Sequence, residues 1–182
     1  MTDILFGQSY YLRFDTKLWN AMQAYPPLGT LYAASYMRER GFEVALFDAM
    51  LAESTKEWDQ ALKQYQPRYA IIFEDNFNYL SKMTLLRMRE AAFEMIDYAK
   101  QYDCKIIVCG ADMTDHTADY LNQGANYVLL GEGEETLSEL LEYLESVEQS
   151  GTEIREDDLY KIQSLAYLHD GKLIKTPTRP VM

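Results

Sequence analysis

Five short apolar runs, each followed by a helical pattern, predict an α/β domain built on a doubly wound parallel sheet. Four of the runs are apolar on consecutive residues rather than alternating, as strands covered on both faces are. The runs also stop at turn-forming residues, with Gly7, Gly110 and Gly131 each closing one. Right-handed crossovers then place the five parallel strands in the order 2-1-3-4-5, a flavodoxin-like or Rossmann-like arrangement.

The elements follow in order. Asp3 to Gly7 reads as the first strand. Gln8 to Tyr25 is a long irregular stretch holding Tyr10, Tyr11, Phe14, Trp19 and Tyr25, an aromatic content that argues against disorder. Its rings form a lid over a flat ligand, a surface for another domain, or packing against their own sheet. Pro27 to about Arg40 is a helix closed by Gly41. Glu43 to Asp48 is the second strand, and Thr55 to Tyr65 a helix capped by Ser54 or Thr55. Arg68 to Phe73 is the third strand, followed by a long helix from about Ser81 to Tyr102 whose Met83, Met88 and Met95 serve core packing. Lys105 to Gly110 is the fourth strand, and Asp115 to Asn122 a short helix ending at Gly124. Asn126 to Leu130 is the fifth strand. It runs through Gly131-Glu132-Gly133 into a helix with Leu137, Leu140, Leu141 and Leu144 on one face. After Gly151 the pattern changes. Ile162 to Leu168, His169-Asp170-Gly171 and Lys172 to Lys175 read as a C-terminal β-hairpin, since Asp-Gly supplies the positive φ angles of a type I′ turn. Thr176 to Met182 reads as an extended linker. Residues 1–150 are thus the α/β domain, and 151–182 the hairpin and linker.

Composition narrows the function. A chain of 182 residues with 48% hydrophobic content builds one core. The net charge of -12, from 29 acids against 17 bases, excludes nucleic acid and anionic membrane surfaces as partners. No apolar run approaches the roughly 20 residues of a membrane span, and no basic n-region precedes Ile4-Leu5-Phe6. Cys104 and Cys109 flank a strand at an odd separation and point to opposite faces, as free thiols in a reducing cytoplasm do.

Ligands of such sheets sit beyond the carboxyl ends of the strands. That selects four loops: Gln8 onward, Glu74 to Asn78, Gly110 to Met113, and Gly131 to Glu134. They form a crevice with many acceptors and few cations. Glu132, Glu134 and Glu135 repel a phosphate, so the glycine turn is not a nucleotide loop. For Glu134 and Glu135 the helix dipole is explanation enough. His116 and His169 assemble no metal-ligand spacing and no nucleophile–base pair.

Three stretches resemble one family. Tyr25-Pro26-Pro27-Leu28-Gly29 running to Gly41-Phe42-Glu43-Val44, then Phe47-Asp48-Ala49, is similar to the opening of cobalamin-binding domains in radical SAM enzymes. Val108-Cys109-Gly110-Ala111-Asp112 occupies the place of that family's Gly-Gly-Pro-His segment. Gly124-Ala125-Asn126-Tyr127-Val128, leading to Gly131-Glu132-Gly133-Glu134-Glu135-Thr136-Leu137, resembles its glycine–glutamate signature.

The resemblance implies an N-terminal domain that holds cobalamin for a C-terminal radical SAM domain of the same polypeptide, of methyltransferase or cyclase type. The iron–sulfur cluster and S-adenosylmethionine then belong to that second domain, since two isolated cysteines cannot supply the three thiolates of the cluster. This stretch alone is expected to be inactive. The crevice residues it implies are Tyr10, Tyr11, Leu28, Gly29, Asn76 and Phe77 on the first loops. Gly110, Ala111, Asp112, Gly131, Glu132 and Gly133 complete them on the last two. Tyr10 or Tyr11 would lie against the corrin ring, with Glu132 and Asn76 taking its amide groups. The Asp-x-His-x-x-Gly motif of cobalamin mutases is missing, so no histidine stands ready to ligate cobalt. Ala111 replaces the second glycine and narrows the space beside the ring. The alternative is a cofactor-free interaction domain that keeps the fold and docks on the catalytic domain.

Overall fold

A computed structural model describes residues 2–75 and 84–180. Seven strands form one mixed sheet in the order β2-β1-β3-β4-β5-β6-β7. Here β1 is Ile4–Gly7, β2 Val44–Leu46, β3 Tyr69–Phe73, β4 Lys105–Cys109 and β5 Tyr127–Leu129. These five are parallel to one another and keep the expected order. The hairpin strands β6, Leu165–His169, and β7, Lys172–Lys175, extend the same sheet instead of standing apart, because β6 pairs antiparallel with β5.

Alternate residues of each central strand enter two different cores, which explains why the runs are continuously apolar. Leu5, Ala70, Ile72, Ile106, Val108 and Val128 pack with one set of helices. These are α3 (Lys56–Tyr65), α4 (Leu85–Ala99) and α6 (Thr117–Gln123). Ile4, Phe6, Ile71, Phe73, Ile107, Cys109 and Leu129 pack on the other face. There they meet α2 (Leu28–Glu39) and α7 (Glu134–Ser150). Cys109 and Cys104 fall on opposite faces as the spacing required, and both are free thiols. The remaining helices are short: α1 (Thr16–Ala21), α5 (Ala111–Asp115) and α8 (Glu156–Leu159). No helix among the described residues is long and apolar enough to cross a membrane.

Several boundaries differ from expectation for local reasons. The stretch after β1 is not irregular: a 3₁₀ turn at Leu12–Phe14 leads into α1. Asp15 starts that helix, its Oδ1 accepting from the amides of Lys17 at 3.1 Å and Leu18 at 3.0 Å. The helix expected over Asp115 to Asn122 is α6, starting at Thr117, and an unexpected short helix, α5, precedes it across a break at His116. Thr55 does not cap α3. Its backbone is already helical, and its hydroxyl donates to Glu94 Oε2 at 2.7 Å. Ser81, Lys82 and Met83 of the expected long helix lie outside the described residues, and Thr84, left-handed at φ 49°, stands just before α4. Asp170 and Gly171 adopt φ of 48° and 74°, the left-handed pair that a type I′ hairpin needs. The tail is no free linker. The Ser164 amide donates to Pro177 O at 2.8 Å, and Arg179 binds Glu135 and Glu139 on α7 at 3.1 and 2.6 Å.

Candidate functional site

The chain leaves β1 toward α2 on one face and leaves β3 toward α4 on the other. The crevice between those two neighbouring strands is therefore the topological switch point of the sheet. Glu74, directly after β3, fills it. Its side chain is buried, and Oε1 accepts from the Ser9 amide at 2.6 Å. Its own amide donates to Cys109 O at 2.8 Å, while Oε2 is buried without a partner. Burial pushes the Glu74 carboxyl up to about 7; the Ser9 hydrogen bonds pull against this, and the carboxylates of Asp112 and Asp75 add to the rise. Gly110 is required here by space: a Cβ on it would lie 2.8 Å from Glu74 Cβ.

The start of α2 is tied to the same loop. The Leu28 amide donates to Asp75 Oδ2 at 3.1 Å, and Thr30 Oγ1 donates to Phe73 O at 2.6 Å. Gly29 lies alongside, so a Cβ there would make ordinary contact with Asp75 Cα at 3.5 Å.

On the far side, Asp112 is already committed. It accepts from Arg89 Nε at 2.9 Å, Arg89 Nη2 at 2.6 Å and Tyr120 Oη at 2.8 Å. Burial alone would raise its carboxyl, but the bonds from Arg89 and Tyr120 outweigh that and hold it below the ordinary range. Thr114 joins the two remaining loops: its hydroxyl donates to Gly110 O at 3.0 Å and accepts from the Gly131 amide at 3.3 Å. Gly131 has φ of 74° with open space where a Cβ would be, whereas a Cβ on Gly133 would lie 2.4 Å from Cys109 Sγ. One glycine makes the turn, and the other lets α7 start against β4.

The twelve expected site residues divide accordingly. Gly110, Ala111 and Asp112 follow β4 and open α5. Ala111 and Asp112 line an inner void with Ser9, Glu74, Asp75 and Tyr120, and it holds only about 10 Å³, room for one water. Glu132 lines an outer groove of about 350 Å³ with Tyr32, Tyr36, Glu134, Glu135, Arg179 and Pro180. Gly131 and Gly133 flank it in the chain. Leu28 and Gly29 open α2, with the Leu28 side chain exposed. Tyr10 and Tyr11 are not presented to a ligand: both are fully buried. The Tyr10 hydroxyl donates to Asp15 Oδ2 at 3.1 Å within a small cluster with Leu12, Met50 and Met88, while the Tyr11 ring stacks on Phe14 at 4.9 Å and joins the core on one sheet face. Asn76 and Phe77 lie outside the described residues.

Sequence reasoning missed Ser9, Arg89, Thr114, Tyr120 and the Tyr32–Tyr36 pair. Only the last had a readable signal, the four-residue spacing that puts both rings on one side of a helix. Also unanticipated was a rim of exposed apolar side chains. Met22, Leu28, Tyr32, Leu51 and Leu86 are each 66–71% exposed, and all lie on loops or the first two helical turns in the segments that follow β1, β2 and β3. Among the described residues no group of three or more His, Cys, Asp or Glu could hold a metal ion.

A family model described as the B12 binding domain matches residues 19–141. The chain belongs to the B12-binding domain family. Among solved structures, the B12-binding domain is similar to the radical S-adenosylmethionine methyltransferase TsrM from Kitasatospora setae, with cobalamin and a [4Fe-4S] cluster bound. That match has a TM-score of 0.64 at 16% identity, over 97% of this chain and 31% of that one. It is also similar to the cobalamin-dependent S-adenosylmethionine radical enzyme OxsB, with aqua-cobalamin and S-adenosylmethionine bound. There the TM-score is 0.68 at 16% identity, over 99% of this chain and 22% of that one. At such identities the likeness speaks to the fold, and the chain spans less than a third of either protein. Among the curated proteins, no sequence matches it.

Proposed function

We propose that this domain holds a corrinoid across the carboxyl end of its sheet, without a histidine ligand of its own, for a radical SAM catalytic domain. The observation that carries this reading is the apolar rim of Met22, Leu28, Tyr32, Leu51 and Leu86, which faces solvent just where ligands of this fold sit. A flat, largely apolar ring is the kind of ligand that covers such a rim, and its neutral amide groups suit an acidic border such as Glu132 and Glu134. The inner void, at about 10 Å³, is far smaller than a corrin, and the outer groove of about 350 Å³ offers more room for part of one. When bound, the group supplies cobalt-centred chemistry that no side chain provides, and the protein's part is to bind and orient it. The acidic surface and free thiols fit a cytoplasmic enzyme.

Titration with hydroxocobalamin, followed in the visible spectrum, tests this. A saturable spectral change is expected, and Tyr32→Ala should weaken it about tenfold, the loss of one apolar contact worth ~1.4 kcal/mol. No change at hundreds of micromolar would overturn the reading. The small inner void and the committed Asp112 favour a second reading, a cofactor-free domain that uses the same rim to dock on the catalytic domain. That version predicts a silent titration.

A further inference from the structure

Three loops of the crevice converge on one carboxyl group. Glu74, after β3, bonds the Ser9 amide after β1, its Cβ lies where Gly110 after β4 leaves no room for a side chain, and a Cβ on Gly29 at the start of α2 would come within 3.5 Å of its carbonyl. Its Oε2 is sealed from solvent and has no hydrogen-bond partner. No uncommitted cation faces it among the described residues. Arg89 of α4 is spent on Asp112 in a bidentate pair, while Asp112 and Tyr120 approach from α5 and α6. Asp75 lies beside it in the chain, Cys109 faces it from β4 and Tyr11 from the loop after β1. The start of α2 adds only Gly29 and Thr30. A carboxylate with one unbonded oxygen and two acids for neighbours is costly to keep dry.

We propose that Glu74 is a proton-operated latch on the crevice: as a neutral acid it keeps Ser9, Glu74 and Gly110 packed together, and its ionisation admits water and parts them. The ligand side of this inference, that opening favours the corrinoid, rests on the reading above. The latch itself does not.

Linkage sets the size of the effect. With a closed-state value of about 7 and an open-state value near the ordinary 4.5, the opening equilibrium rises about tenfold between pH 6 and pH 8. Amide exchange, corrected for intrinsic rates, reads this at residue 74, whose N–H closes onto Cys109 O. A tenfold fall in protection is expected in the wild type and none in Glu74→Gln. An equal fall in both proteins, or no fall in the wild type, would overturn the latch. The carboxyl carbon of Glu74 in the wild-type chain gives a measure that needs no variant: a titration midpoint near neutrality supports the latch, and one in the ordinary carboxylate range sinks it. Hydroxocobalamin should then bind several-fold more tightly at pH 8 than at pH 6, with Glu74→Gln showing no such difference. Absence of binding at both pH values defeats the corrinoid reading, while the exchange data still decide the latch.

Discussion

Gly131 and Gly133 stand two residues apart in one turn and should fail in different ways. Gly131→Ala puts a side chain at a left-handed φ with nothing nearby to strike, a cost of about 1 kcal/mol. Gly133→Ala drives a methyl into Cys109 Sγ and should cost about 2–3 kcal/mol in urea unfolding. Adding Cys109→Ala should recover part of that loss but not all, since Phe73 and Leu129 remain within 3.1 and 3.3 Å. Asp112→Ala strands the Arg89 guanidinium and the Tyr120 hydroxyl together, and about 2–3 kcal/mol is expected from the same measurement. The glycines announced themselves in the sequence as strand-ending turns. Arg89 did not. It is one polar residue on a helix twenty-three positions from its partner, and only the packing of α4 beside α6, which follows Asp112 in the chain, brings the two together.

At the level of elements, the five parallel strands were legible because burial on both faces leaves no room for polar residues along them. The start of α1 was legible in principle, since Asp15-Thr16-Lys17 is a capping signal, but the surrounding aromatics masked its periodicity. The break at His116 and the docking of the hairpin on β5 were not. The docking depends on which strand edge stands open, a property of the assembled sheet, and no Gly or Pro marks the break. The tail shows the same limit. Pro177 and Pro180 suggest an extended segment, and nothing local says that Arg179 will find Glu135 and Glu139. Arg179→Ala should loosen this strap by about 0.5–1 kcal/mol, as its acidic partners are themselves well exposed. A several-fold faster exchange of the Ser164 amide, which donates to Pro177 O, would report it.

For the whole molecule, Glu74 makes stability depend on pH with an unusual sign. Its carboxyl binds a proton more tightly folded than unfolded, so its effect is neutral in acid, where both states are protonated. Stability is then lost as pH rises from the ordinary carboxylate range through about 7. The wild type should lose about 2–3 kcal/mol between pH 5 and pH 8 relative to Glu74→Gln, measured by urea denaturation of both proteins. The thiols give a second global readout. Burial pushes Cys104 up to about 11 and Cys109 higher still, so iodoacetamide at pH 8 should leave both untouched until the chain unfolds.

The hairpin that lengthens the sheet also decides how molecules meet one another. Without it, β5 would present its backbone as a ready template for another chain. With it, the two ends of the sheet are β2, three residues long, and β7, four residues long with a lysine at each end. Short, charged margins of this kind resist pairing with a neighbour. A concentrated solution should therefore stay free of strand-to-strand fibres, which thioflavin fluorescence after prolonged incubation would check.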